Sequence, residues 1–172
     1  MAVDSTQEGE GTMGRMAEVT KRFRFEAAHQ LPYHVGKCRH VHGHNYEVEV
    51  CVRGLVQGEE VGSSEGMVVD FIDLSALLKP LFARMDHSFL AAGDEEILDE
   101  LKVTGNKVYD LGVRTTAENL AWHIFDVLDA PGALSHGWCE WVRVWETPDS
   151  SAICRRPDEA AMTTMACPPM AP

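Results

Sequence analysis

Apolar and polar positions alternate most clearly between residues 45 and 53. There Tyr46, Val48, Val50 and Val52 interleave with Glu47, Glu49, Cys51 and Arg53, which predicts a strand with one buried face. A similar spacing of Val19, Phe23, Phe25 and Ala27 predicts a half-buried strand over 18–28. The turn-rich stretch 58–66 leads into the apolar run 67–71 and predicts a hairpin with a third strand. Residues 138–146 (WCEWVRVWE) predict a fourth strand, apolar on both faces. Its Trp138, Trp141 and Trp145 suggest burial against helices or another subunit. The helical period occurs twice. Leu74, Leu77, Leu78 and Leu81 predict a helix from near Asp73, which Pro80 kinks or ends early. Leu120, Ile124, Val127 and Leu128 predict a second, starting at Thr115 or Thr116 and stopping before Pro131 and Gly132. Strands come first in pairs and no regular strand–helix alternation follows, so the fold class reads as α+β. Residues 91–114 are polar and read as a long loop. Residues 1–15 read as a disordered leader and 157–172 as a flexible tail, with one domain at 16–156 between them.

Composition narrows the functional classes. The chain has 172 residues, 45% of them hydrophobic and 24% charged, as in an ordinary soluble domain. Fifteen Lys and Arg face 27 Asp and Glu, a formal charge of −12. That balance argues against a general binder of nucleic acid or anionic membrane, because both partners are polyanions. No apolar run approaches the ~20 residues that span a bilayer. The N-terminus carries no apolar core of the signal-peptide kind. The cysteines, Cys38, Cys51, Cys139, Cys154 and Cys167, are odd in number and irregularly spaced. They fit a reduced, cytoplasmic protein better than a disulfide framework.

The candidate chemistry centres on histidine. Residues 38–44 read Cys-Arg-His-Val-His-Gly-His. On an extended strand His42 and His44 point to one face, about 7 Å apart along the chain, and can reach one metal ion. Gly43 between them lets another backbone approach. His29 ends the first predicted strand, and antiparallel pairing brings it alongside as a third ligand. Three neutral imidazoles leave one position open on a tetrahedral zinc ion, the catalytic arrangement. Loop histidines with no shared ligand, or a closed site with Cys38 as fourth ligand, are the structural alternatives. Lys37 and Arg39 flank Cys38 and favour its thiolate, which near the metal but off it is a base or nucleophile.

Three further groups stand out. Asp86 and His87 follow the first helix, where the carboxylate can orient the imidazole or the pair can simply end the helix. Thr115, Thr116 and Glu118 fit a helix capping box, with a polar ring ligand as the alternative role for Glu118. Glu146 ends an apolar strand and can accept two parallel N–H donors of a guanidine-like group, unless it is only an exposed strand terminus.

Phe-Glu-Ala-Ala-His (25–29), Cys-x-x-x-His-Gly-His (38–44), Val-Asp-Phe-x-Asp-Leu (69–74), Asp-His (86–87), Thr-x-Glu (116–118) and Trp-Glu-Thr (145–147) occur in this order. Taken together, residues 18 to 155 resemble the 6-pyruvoyl-tetrahydropterin synthase family. The resemblance implies a tunnelling fold, a four-stranded antiparallel sheet with two helices on one face. Subunits of that fold join their sheets into a barrel, as a trimer or a hexamer. It implies that His29, His42 and His44 bind Zn2+ and that Cys38 is the proton-transfer thiol. Asp86 and His87 would form a relay, Glu146 would anchor the pterin ring, and Thr115, Thr116 and Glu118 would lie around it. Three residues separate Cys38 from His42, which resembles the branch that forms 6-carboxytetrahydropterin for deazapurine (queuosine-type) synthesis. The implied substrate is 7,8-dihydroneopterin triphosphate. The rival readings are the 6-pyruvoyl activity and a non-catalytic zinc-containing module that binds a pterin or purine. Residues 16–46 hold five basic side chains (Lys21, Arg22, Arg24, Lys37, Arg39) against Glu18 and Glu26, an expected basic mouth for a triphosphate. Two departures from the family pattern stand out: the segment between His87 and Thr115 is long, and Arg114 stands where a proline often precedes the threonines.

Overall fold

A computed structural model describes residues 14–157. The expected leader and tail lie outside these residues, apart from residues 14, 15 and 157. The long alternating runs become two paired strands, β1 (Met16–His29) and β2 (His42–Leu55). They are antiparallel along their whole length, from Met16 opposite Leu55 to His29 opposite His42. Helix α1 (Phe71–Met85), strand β3 (Ser88–Ala91), the short helix α2 (Leu98–Val103) and strand β4 (Val108–Asp110) follow. Helix α3 (Ala117–Asp129) and the antiparallel pair β5 (Trp138–Thr147) and β6 (Ser150–Arg155) complete the chain. The sheet order is β4-β3-β1-β2-β5-β6. Strands β1, β2, β5 and β6 pair antiparallel, whereas β3 lies parallel to β1 and β4 parallel to β3. The fold class is α+β as expected. The expected four-stranded antiparallel sheet with two helices is corrected to six mixed strands with three helices.

Local chemistry accounts for each difference. The run 67–71 is not a strand. Asp70 accepts the Ile72 N–H at 2.7 Å and caps α1, so the helix starts at Phe71 and leaves no length to extend. Gln57 still bonds across this turn to Met67 and Gly66. Pro80 does not end α1, which runs on to Met85. Both Pro80 and Ala76, whose carbonyl loses its partner, are exposed, so water satisfies the orphaned group. Residues 91–114 are not one loop. Phe89, Leu90, Ala91 and Leu98 are buried, but runs this short carry no readable period. Strand β6 was missed for the same reason.

Helices α1 and α3 cover one face of the sheet. Leu74, Leu78, Leu81, Phe82 and Met85 of α1 and Leu120, Ala121, Ile124, Phe125 and Leu128 of α3 are buried. They pack with Tyr46, Val48, Val50, Val52, Val142 and Val144 into one core, whose largest stabilisation is removal of apolar surface from water. In β5 an extra residue lies opposite the Cys51–Val52 step. This bulge lets Cys139 face the core together with Val142 and Val144. Trp141 and Trp145 then share the opposite face with Arg143, whose guanidinium lies 5.8 and 5.2 Å from their ring centroids.

The β2–β5 register carries Glu146 to the histidines, and a glycine contact holds it at the bulge. Gly137 has φ +74° and packs on the end of β2, where a Cβ would lie 2.5 Å from the Arg53 carbonyl oxygen. Gly132 has nearly the same φ, +77°, with nothing within 4 Å. Gly132→Ala should therefore cost about 1 kcal/mol, the left-handed backbone penalty alone. Gly137→Ala should cost about 2–4 kcal/mol because overpacking against backbone adds to it. Urea unfolding of both variants checks this, and equal losses would show that the contact does not hold the register.

Candidate active site

The pairing of β1 with β2 sets His29 opposite His42 and Ala27 opposite His44. His29, His42 and His44 therefore share the helix-side face, and one nitrogen of each lies within 4.8 Å of the others. Ring centroids are 4.5 to 5.1 Å apart. Cys38 is not part of this group, so a fourth-ligand role for it finds no support. Gly43 permits the close pairing: a Cβ there would meet the Ala27 carbonyl oxygen at 3.1 Å.

Backbone carbonyls orient the rings. His29 Nδ1 lies 2.8 Å from the Thr115 carbonyl oxygen, and His42 Nδ1 lies 2.8 Å from that of His40. A carbonyl only accepts, so each Nδ1 carries a proton and donates it. Each Nε2 is then a lone pair, and the two face each other at 3.1 Å. Two opposed lone pairs at that distance repel unless a proton or a cation lies between them. Fixed tautomers with converging lone pairs are the usual outer-shell arrangement of a metal site. The residues present therefore fit a metal ion, and an all-imidazole donor set suits zinc. Burial adds to this. His29 is 1% exposed, and desolvation, helped by His42 and His44, lowers its pKa to about 4. Desolvation, then His42, also lowers that of His44. Neutral imidazole is the ligand form.

Tyr46 is the floor beneath the trio. It stacks on Phe25 at 4.8 Å, and its ring lies 5.4 Å from His44 and 6.2 Å from His29. Its hydroxyl is buried with no hydrogen-bond partner among the described residues. Burial, with the charge of Glu146, pushes this phenol up.

Glu146 stands on the same side of the sheet, half-buried. Desolvation raises its pKa first, Glu118 second, and His42 opposes the rise. It lines a cleft of about 650 Å³ with His44, Asn45, Arg22 and Trp145. Glu118 does not close the expected capping box. The α3 cap is Thr116, whose hydroxyl accepts the Asn119 N–H at 3.4 Å, three residues on. That leaves the exposed Glu118 carboxylate outside the cap, and its charge acts on Glu146. Thr115 is fully buried and serves through its carbonyl, with its hydroxyl 3.2 Å from His29 Nδ1. No sequence signal marks a carbonyl for this duty.

Cys38 is half-buried in a short 3-10 turn, Lys37–Arg39, and its carbonyl accepts the Leu31 N–H. Asp86 ends α1, and its carboxylate accepts the Glu26 N–H at 2.9 Å and contacts His87 Nδ1 at 2.9 Å. The adjacent pair does face each other, because His87 takes the left-handed φ of +55° and donates its N–H to the Glu26 carbonyl. The Glu26 N–H, then His87, holds the Asp86 carboxyl below its usual range. His87 lines a second cleft of about 450 Å³ with His44, Asn45 and Lys107. No hydrogen bond among the described residues joins Asp86 or His87 to Cys38 or the imidazoles. The expected basic mouth is partly neutralised. Arg22 pairs with Glu47 and Glu49, and Arg24 with Glu47.

With this geometry in place, known proteins supply context. The family model described as 6-pyruvoyl tetrahydropterin synthase matches residues 18–157. A 6-carboxy-5,6,7,8-tetrahydropterin synthase of Haemophilus influenzae is 35% identical over 140 residues, spanning 78% of this chain and 96% of the relative. One of the same name from Aquifex aeolicus is 33% identical over 159 residues, spanning 78% and 95%. Among solved structures, the Caenorhabditis elegans 6-pyruvoyl tetrahydropterin synthase superposes with TM-score 0.61 at 24% identity, over 84% of this chain and 98% of that one, a likeness of fold. The ordered motifs, the imidazole trio and the match over most of the chain agree, and the chain belongs to the 6-pyruvoyl tetrahydropterin synthase family.

Proposed function

We propose that this protein is a zinc-dependent 6-carboxy-5,6,7,8-tetrahydropterin synthase. It takes 7,8-dihydroneopterin triphosphate and water to 6-carboxytetrahydropterin, acetaldehyde and triphosphate. The observation that carries the reading is the trio His29, His42 and His44, with two Nε2 lone pairs at 3.1 Å and their Nδ1 protons tied to carbonyls. Relatives bearing that enzyme's name, matched along nearly their whole length, support the substrate.

The chain's own residues divide the work. His29, His42 and His44 hold zinc, which when bound supplies a Lewis acid beside the substrate's side-chain hydroxyls. Glu146 anchors the amino-pyrimidine ring. Its carboxylate is disfavoured by desolvation and by Glu118, and two ring N–H donors side by side restore the charged form. Thr115, Thr116 and Glu118 border the ring. Cys38 moves a proton at the side-chain carbon next to the ring, and Asp86 and His87 relay the proton of the later step. Because Asp86 and His87 make no bond to Cys38 within one chain, the scheme brings them together across subunits. A homo-oligomer suits the sheet. Among the described residues, β1 from Met16 to Glu26 has no partner strand on its outer side, and β4 and β6 are the sheet's two edge strands. Joining such edges closes a barrel of trimeric form, or of two stacked trimers, around the half-buried Trp141, Arg143 and Trp145. Within the described residues no helix is long and apolar enough to cross a membrane, and four cysteines are free thiols.

Three outcomes test the assignment. Zinc-loaded protein should release a carboxy-pterin and acetaldehyde by mass spectrometry, and Cys38→Ala should slow turnover by about 10²–10⁴-fold with zinc retained. A pyruvoyl-pterin would move the chain to the sister activity, and unchanged substrate would favour a binding module. Chelation should abolish turnover while far-UV circular dichroism stays largely unchanged. Unfolding on chelation would instead mark a structural metal. The third outcome concerns pH. In metal-free protein His29 titrates near 4 against 6.5 in the unfolded chain. Between those values only the unfolded chain takes up the proton. Stability should therefore fall as pH drops from 6.5 towards 4, by roughly 3 kcal/mol in full. Urea titrations should show that slope flattened in His29→Gln.

A further inference from the structure

The polar residues between β3 and α3 converge on a side chain that the reaction scheme leaves unused. Arg114 immediately precedes Thr115, whose carbonyl orients His29. Its guanidinium pairs with Asp94 and lies 3.6 Å from Glu95, whose side chain is 0% exposed. Glu95 accepts the N–H groups of Ala92 and Gly93 at 2.9 to 3.1 Å. A carboxylate buried this deeply needs a nearby cation, so Arg114 is held in place. The Arg114 carbonyl in turn accepts Asn119 Nδ2 at 2.8 Å, which pins the turn to α3.

The other side of the guanidinium reaches the thiol loop. Its central carbon lies 4.8 Å from the centroid of the Tyr33 ring, although Tyr33 is 79% exposed. Tyr33 belongs to the segment between β1 and β2 that carries Cys38. The base of that segment is closed by the Leu31 N–H to the Cys38 carbonyl at 2.9 Å and by Gln30 Nε2 to the Arg39 carbonyl at 2.8 Å. Its tip meets Arg114. A planar, permanently charged guanidinium can stack on a ring while its edges bond carboxylates, which a lysine cannot match.

We propose that Arg114 is a positioning residue: through Tyr33 it ties the loop bearing Cys38 to the turn that orients His29, so thiol and imidazoles keep one spacing. This rests on the assignment of Cys38 as the proton-transfer thiol.

The test is iodoacetamide labelling of Cys38, followed by peptide mass spectrometry, in zinc-loaded full-length protein, with steady-state kinetics alongside. Arg114→Ala and Tyr33→Ala should each speed labelling about threefold or more, because the loop opens more often. Each should lower kcat roughly tenfold through misplacement of the thiol, with KM and zinc content little changed. Arg114→Lys should fall between, keeping the charge but not the stack. The double alanine variant should be no worse than either single one, since both break one link. Unchanged labelling in both single variants, or additive effects in the double, overturns the proposal. Should Arg114→Ala not fold, the exposed Tyr33→Ala still decides it. Normal turnover in Cys38→Ala would sink the thiol assignment by itself, and the labelling rates would still decide whether Arg114 orders the loop.

Discussion

The active site depends on one register, β1 against β2. His29 stands opposite His42, and His44 sits two residues further along the same face. A slip of one residue would turn His29 to the other side of the sheet and dissolve the trio. The register is secured because Phe25, Tyr46, Val48, Val50 and Val52 are committed to the core by the same alternation. The hydrophobic pattern thus aims the three imidazoles that could hold a metal, and folding energy and site geometry are one constraint.

Backbone carbonyls do the finer work. Those of Thr115 and His40 each take one imidazole proton, and both come from the edges of irregular segments. The cap at Thr116 fixes where α3 begins, which fixes the Thr115 carbonyl just before it. A helix start far along the chain therefore sets the tautomer of His29 on β1. Arg114 extends the same logic one residue back, joining this turn to the buried Glu95 and to the ring of Tyr33.

Electrostatics separates the two ends of the site. At the imidazoles, burial favours the neutral form that a metal needs. At Glu146, burial and Glu118 disfavour the charge that a ring with paired donors would restore. Both effects draw on the same low polarity around Tyr46, whose hydroxyl is itself left without a partner among the described residues. Asp86 lies in the opposite regime, half-buried, with its carboxyl held below the usual range by the Glu26 N–H and His87.

Much of this was legible in the chain. The two long strands, the helical stripes of α1 and α3, and the spacing of His29, His42 and His44 all follow from period and residue type. Those signals are local, and long amphipathic runs repeat them often enough to be read. The short strands β3, β4 and β6 were not legible, because three to six residues carry too little period and pair only where neighbours offer an edge. The run 67–71 misled because its apolar residues look like a strand, while one capping carboxylate, Asp70, decides for the helix. Glu118 misled in the same way, since the capping bond goes to Asn119. The sequence alone determined which residue types could bind a metal and which faces would be buried. Only the tertiary structure decided which carbonyls orient the imidazoles, that Cys38 stands outside the ligand group, and that Arg114 meets Tyr33. The carbonyls are backbone groups that every residue has, and Arg114 and Tyr33 are far apart in the chain, so no local pattern announces these contacts.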